Sequence, residues 1–310
     1  MTESDVALFR LRNDYRCLNE SFKTSFAFRF GRGAGFCAEM LGLIKSMMHC
    51  LHGRVRLCMS QGGRPVGINI AGGFTDYFEA LFPEIDAGLF NALNVQAVRG
   101  SGRFPIVRRG VSALLHATTG AERFMMDDPG ALPARLVVPE LGIDSDYWDA
   151  CAILARMAWA YRPQVGNEVA GIISGWAIPK SYVSVHVRRG DKNRESPYAN
   201  SDGYVSAIKQ ARPEGGDVVI ASDDGKALSE LAGLLPARYR VIPCSANDAR
   251  GHRQEEFNRL PAAERFSRLK RFLAELEILR GGELFIGSAG SNVTYLIEMM
   301  RAGRGVVQLR

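Results

Sequence analysis

YVSVHVRRGDKNRESPY, residues 182–198, joins an apolar run to five ionisable side chains that fall within seven positions. Val183, Val185 and Val187 alternate with Ser184 and His186, the period of a β-strand. Arg188, Arg189, Asp191 and Lys192 then crowd the point where that strand leaves the core. Unpaired charge is costly inside a fold, so a cluster at such a place points to a ligand of opposite charge.

Working outward, the same grammar repeats. DGYVSAIKQAR (202–212) has a helical period and GDVVIASDD (216–224) reads as a strand. The helix GKALSELAGLL (225–235) and the strand RYRVIPC (238–244) follow. A long amphipathic helix (262–281) leads to the strand ELFIGS (283–288), the helix SNVTYLIEMMRAG (291–303) and a last strand, GVVQLR (305–310). Strand and helix in strict alternation predict a doubly wound parallel sheet. Ligands of such sheets collect beyond the carboxyl ends of the strands, and HVRRGDK, ASDD and GSAGSN all lie there. That agreement predicts a nucleotide site.

The N-terminal half carries a second strand–turn–helix–strand unit in residues 25–60. Phe26, Phe28 and Phe30 alternate, Gly31, Gly33 and Gly35 turn the chain, an apolar helix runs to Gly53, and RVRLCMS (54–60) is a strand. The spacing G-x-G-x-G suits backbone approach to an anion or simply a tight turn. Residues 60–140, rich in Gly and Pro, read as irregular loops that form an acceptor-facing surface. A helical period returns at DSDYWDACAILARMAWAY, with Asp144 or Ser145 as its cap and Pro163 interrupting it. The domain boundary is expected at 175/176, after which GWAIPK breaks the pattern.

Composition narrows the function class. The 310 residues suffice for two domains, and Lys and Arg outnumber Asp and Glu by 39 to 33, a net charge of +6. A moderate basic balance suits anionic ligands, but with no Lys/Arg tract it does not indicate nucleic acid. No stretch approaches the roughly 18–20 apolar residues of a membrane span, and the N-terminus lacks a signal-peptide pattern. Six cysteines without a CxxC pair point to a reducing, cytoplasmic setting.

Arg188 and Arg189 carry planar forks suited to phosphate oxygens, and strand alternation gives the two different tasks: one toward a ligand, one toward Asp191 or another carboxylate. Asp223 and Asp224 suit a metal, ribose hydroxyls or a helix cap, and GSAGSN with Ser288 and Ser291 is a second anion cradle. The P-loop pattern is missing from the sequence, so an ordinary NTPase or kinase is not indicated. Arginines facing a diphosphate fit glycosyl transfer from a nucleotide sugar.

These motifs resemble a known family. HVRRGDK is similar to motif I, H-x-R-R-x-D, of GDP-fucose-dependent fucosyltransferases, and the Lys after Asp is most similar to the alpha-1,6 group. VVIASDD (218–224) and LAELEILRGGELFIGSAGSNVTYLIEMM (273–300) resemble that family's second and third motifs in order and spacing, and GRGAGF (31–36) its early glycine loop. The resemblance implies an α/β GT-B architecture with two facing Rossmann-like domains, residues 1–175 on the acceptor side and 176–310 binding GDP-fucose. It implies transfer of L-fucose to a hydroxyl of a glycan or glycoconjugate, with inversion, no metal and no cofactor beyond the donor itself. The implied partners are a nucleotide sugar and a glycan acceptor. Catalysis falls to Arg189, supported by Arg188, with Glu195 as base. Donor binding falls to Gly31, Gly33, Gly35, His186, Asp191, Lys192, Tyr204, Asp223, Asp224, Glu275, Ser288 and Ser291. Glu275 departs from the Asp with which the family helps read guanine, and the loop after Lys192 is shorter. Two alternatives remain: a related transferase with another nucleotide sugar, and a nucleotide- or glycan-binding module without turnover.

Overall fold

The computed structural model describes residues 2–30, 35–60, 73–84, 121–122, 132–189, 199–244, 257 and 259–309. The chain divides into two compact units, Met1–Arg162 and Pro163–Arg310.

The first unit opens with helix α1, Glu3–Ser21. Its start is a capping box: Thr2 Oγ1 accepts from Asp5 N at 3.2 Å, and Thr2 N donates to Asp5 Oδ2 at 2.7 Å. Strand β1 (Ser25–Arg29), helix α2 (Phe36–Gly53) and strand β2 (Arg56–Ser60) follow, the two strands parallel as the sequence pattern requires. Strand β3 (Ala121–Glu122) pairs with the other side of β1, giving the order β2-β1-β3. Among the described residues β2 is the outer strand of this sheet, and its far side is not bare. Asn19 of α1 is buried, donates to Leu57 O at 2.9 Å and accepts from Leu57 N at 2.7 Å, taking the place of a neighbouring strand.

Strands β4 (Arg135–Val138) and β5 (Ile143–Asp146) form an antiparallel hairpin, and helix α3 (Tyr147–Ala158) follows directly. The cap of α3 is Asp146, whose side chain accepts from Asp149 N at 2.9 Å, rather than Asp144 or Ser145. β5 runs through Asp144 and Ser145 and ends at Asp146, so the helix starts later than its period suggested. Most of the 60–140 stretch read as acceptor-facing lies outside the described residues.

The second unit begins with helix α4, Pro163–Gly175. Pro163 opens this helix instead of merely interrupting one, since proline at a first helical position loses no hydrogen bond. The division therefore falls at 162/163 and not 175/176: α4 belongs with the second unit, where Glu168 pairs with Lys270. The remaining elements are β6 (Val183–Val187), α5 (Ser201–Ala211), β7 (Gly216–Ser222), α6 (Gly225–Leu234), β8 (Tyr239–Pro243), α7 (Ala262–Gly281), β9 (Leu284–Ser288), α8 (Asn292–Met300) and β10 (Val306–Leu309).

Every pairing in this sheet is parallel, and its order is β10-β9-β6-β7-β8. Counted along this unit the order is 5-4-1-2-3, the doubly wound arrangement, with its switch point between β6 and β9. All five residues of β6 are buried, as a central strand covered on both faces must be. Val183, Val185 and Val187 pack with Ile208, Leu228 and Leu231. Ser184, on the alternate face, donates to Leu279 O of α7 at 2.7 Å. Close packing of α8 on β9 depends on Gly287, because a Cβ there would collide with Thr294 Oγ1 and the Phe285 ring.

Candidate functional site

The strand register assembles the site. Val187 of β6 lies opposite Ser222 of β7, so the next residues, Arg188 and Asp223, leave the sheet side by side. Arg188 Nη1 pairs with Asp223 Oδ2, and Arg189 N donates to Asp223 Oδ1 at 2.8 Å. Ser222 ties the two strand ends together: its hydroxyl donates to Val187 O at 2.8 Å and accepts from Asp224 N at 3.0 Å.

Asp223 and Asp224, equivalent in sequence, thus part company. Asp223 organises both arginines. Asp224 caps α6, its Oδ1 accepting from Lys226 N at 2.9 Å. Both arginine side chains take carboxylates, where alternation had suggested one. Arg189 Nη1 donates to Glu230 Oε2 at 2.6 Å, Arg189 Nη2 to Ser201 Oγ at 2.6 Å, and Ser201 Oγ to Glu230 Oε1 at 2.5 Å. That closed ring holds the Glu230 carboxyl down at about 2, chiefly through the Arg189 hydrogen bond and then Ser201. It raises the Arg189 guanidinium further above its ordinary value for the same reason. Neither Glu230, on the solvent side of an amphipathic helix, nor Ser201, in the first turn of α5, carries a sequence signal for this task. Only the tertiary contact shows it.

His186 precedes this cluster on β6 and is 4% exposed, with Nδ1 lacking a hydrogen-bond partner among the described residues. Burial pushes its pKa down to about 4, opposed by the Asp223 carboxylate and reinforced by Arg188. At neutral pH it is therefore an uncharged imidazole. Tyr204 hydrogen-bonds Ser288 Oγ at 2.6 Å and donates to His186 O at 3.2 Å. It is 1% exposed, and burial raises its pKa. Tyr204 and Ser288 are thus brought together as a buried brace across β6 and β9, behind the site.

The β9–α8 turn completes the edge. Gly290 takes φ 79°, and Ser291 stands at the N-cap of α8 without a side-chain capping bond. The α8 N-terminus therefore presents backbone N–H groups and the positive end of its dipole. Glu275 of α7 lies within electrostatic reach of Cys244, which follows β8: burial first, then the Glu275 charge, pushes that thiol well up. In the first unit Gly35 is the N-cap of α2, with open space where a Cβ would stand. Gly31, Gly33, Asp191, Lys192 and Glu195 lie outside the described residues. Among the described residues there is no cluster of three or more His, Cys, Asp or Glu able to hold a metal, and no helix long and apolar enough to cross a membrane.

Comparison with solved structures identifies the architecture. The chain matches a NodZ alpha-1,6-fucosyltransferase soaked with GDP-fucose at a TM-score of 0.51 and 14% identity, over 90% of this chain and 92% of that one. The chain shares the fold of that solved structure. A mutant of Arabidopsis thaliana FUT1 in complex with GDP gives a TM-score of 0.53 at 10% identity, over 96% of this chain and 74% of that one. Both likenesses span both units and place the chain in the α/β, GT-B-like class that its motifs implied. No family model and no curated protein matches the sequence. At these identities the likeness speaks for the fold, and the chemistry has to be argued from the site.

Proposed function

We propose that the chain is a fucosyltransferase that moves L-fucose from GDP-fucose to a hydroxyl of a glycan or glycoconjugate, with inversion and without a required metal. One observation supports the reading: the arginines that end β6 are tied to Asp223 at the end of β7, and Ser291 opens α8 after β9, the other neighbour of β6, in a fold shared with solved fucosyltransferases.

The acceptor oxygen attacks the anomeric carbon of fucose from the face opposite the diphosphate. The new C–O bond forms as the bond to the β-phosphate oxygen breaks, and GDP departs with the electron pair. Negative charge grows on that oxygen, and the guanidinium of Arg189, with Arg188 beside it, is the counter-charge already in place. Two fixed cations of this kind supply what a metal would otherwise supply, which supports the metal-independent reading. The acceptor proton goes to a carboxylate base, assigned to Glu195 by the family resemblance. Asp223 holds the arginines, and the α8 N-terminus with Ser291 offers N–H groups to phosphate oxygens. A cytoplasmic setting is part of the proposal, on the strength of six cysteines without paired spacing.

Glu275, in place of the family's Asp, motivates a second reading in which the nucleotide is not guanine. Calorimetric titration with GDP, UDP, ADP and CDP separates the two. Selective GDP binding together with release of GDP from GDP-fucose is the expected result. Preference for another nucleotide would move the activity to a related transferase, and binding without turnover would make the chain a binding module.

A further inference from the structure

Resting on that reading, we propose that Glu230, together with Ser201, is a positioning residue that fixes the plane of the Arg189 guanidinium for its work on the departing diphosphate.

A guanidinium is a rigid plane on a flexible stem, so its usefulness to a leaving phosphate depends on which way the plane faces. Here two of its nitrogens are held from one side, Nη1 by Glu230 and Nη2 by Ser201. The holders are themselves joined, because the Ser201 hydroxyl donates to the second Glu230 oxygen. Three groups from three elements close one ring: the end of β6, the first turn of α5 and the middle of α6. Ser201 is 8% exposed and anchored in its helix, so the ring is fastened to the frame rather than floating on the surface.

Stability is a poor reason for such a ring. The Glu230 side chain is 46% exposed, and exposed ion pairs contribute little to folding. Glu230 also neutralises a cation that the site needs, which a design for affinity alone would avoid. An orienting role accounts for both features. Glu230 would hold Arg189 before the donor arrives, so that no reorganisation is needed as charge develops.

The test uses the full chain with GDP-fucose as donor and water as acceptor, reading GDP release for wild type, E230Q, E230A, R189A and the R189A/E230A double variant, with thermal melts on each. The expected result is a kcat lowered about tenfold in E230Q and E230A, with the KM for GDP-fucose within about threefold of wild type. In the R189A background, E230A is expected to change kcat by less than about twofold, because the group it positions is gone. Melting temperatures are expected to stay near wild type, which separates the effect from unfolding. Unchanged kcat in E230A overturns the inference, as does tighter donor binding with faster turnover, which would make Glu230 a competitor of the phosphate. An undiminished loss in the R189A background overturns it too. A wild-type chain that neither binds GDP nor releases it from GDP-fucose overturns the fucosyl-transfer reading itself, and this inference with it.

Discussion

Two strand ends of the same sheet, β7 into α6 and β9 into α8, use the same strand–turn–helix grammar and arrive at opposite electrostatics. The first carries Asp223 and Asp224. One carboxylate gathers Arg188 and the Arg189 backbone, and the other caps its own helix. The second end, Gly287 to Ser291, carries no charge, and its N-cap serine makes no side-chain capping bond. β6 lies between β9 and β7, so its arginines stand between a negative end and an open helix dipole. An anion is disfavoured at the α6 N-terminus, already occupied by a carboxylate, and under the proposed function it would meet the arginines and the α8 N-terminus instead.

That contrast can be broken most severely at its centre. Arg189→Ala removes the proposed counter-charge and is expected to lower GDP release from GDP-fucose about a hundredfold or more, measured by steady-state kinetics. A loss below about threefold would show that the charged end is scaffolding only.

The next largest effect is on pH. His186 lies under the charged end with its pKa depressed to about 4, so the folded chain keeps it neutral while the unfolded chain protonates it near its ordinary 6.5. Its contribution to stability is thus full above about pH 6.5 and is lost as pH falls, by ~2 kcal/mol between pH 6.5 and 5. Urea midpoints across that range check this, and His186→Asn is expected to flatten the slope.

Ser291→Asp sharpens the comparison by giving α8 the kind of start that α6 has. Helix capping should improve or hold, while calorimetric GDP affinity is expected to drop about tenfold, since a fixed carboxylate repels phosphate. Equal affinity would mean that the α8 N-terminus does not receive the anion. Asp224→Ala is the smallest change: loss of the α6 cap should lower the unfolding free energy by about 1 kcal/mol in urea.

Much of this was legible without coordinates because it rests on local period. All five strands of the second sheet and the helices between them lie where alternation and helical spacing put them. The switch point follows once the strands are parallel. Individual roles were less legible. Tyr204 and Ser288, read as donor contacts by resemblance, spend their hydroxyls on each other. Glu230 and Ser201 were invisible, because a glutamate on an exposed helix face looks like every other solvated glutamate. The cap of α3 shifted to Asp146 because β5, too short to read from period, claimed Asp144 and Ser145 first.

By itself the sequence determined the alternation of strand and helix, the parallel sheet that this alternation requires, and the placement of each polar cluster at a strand's carboxyl end. Those properties depend on neighbours along the chain, and hydrophobic period encodes them directly. Only the tertiary structure decided which carboxylate meets which arginine. Strand register set Asp223 beside Arg188, and the packing of α5 and α6 closed Ser201 and Glu230 around Arg189. Such pairings join residues 12 to 41 positions apart, and they depend on distances in space that no spacing along the chain records.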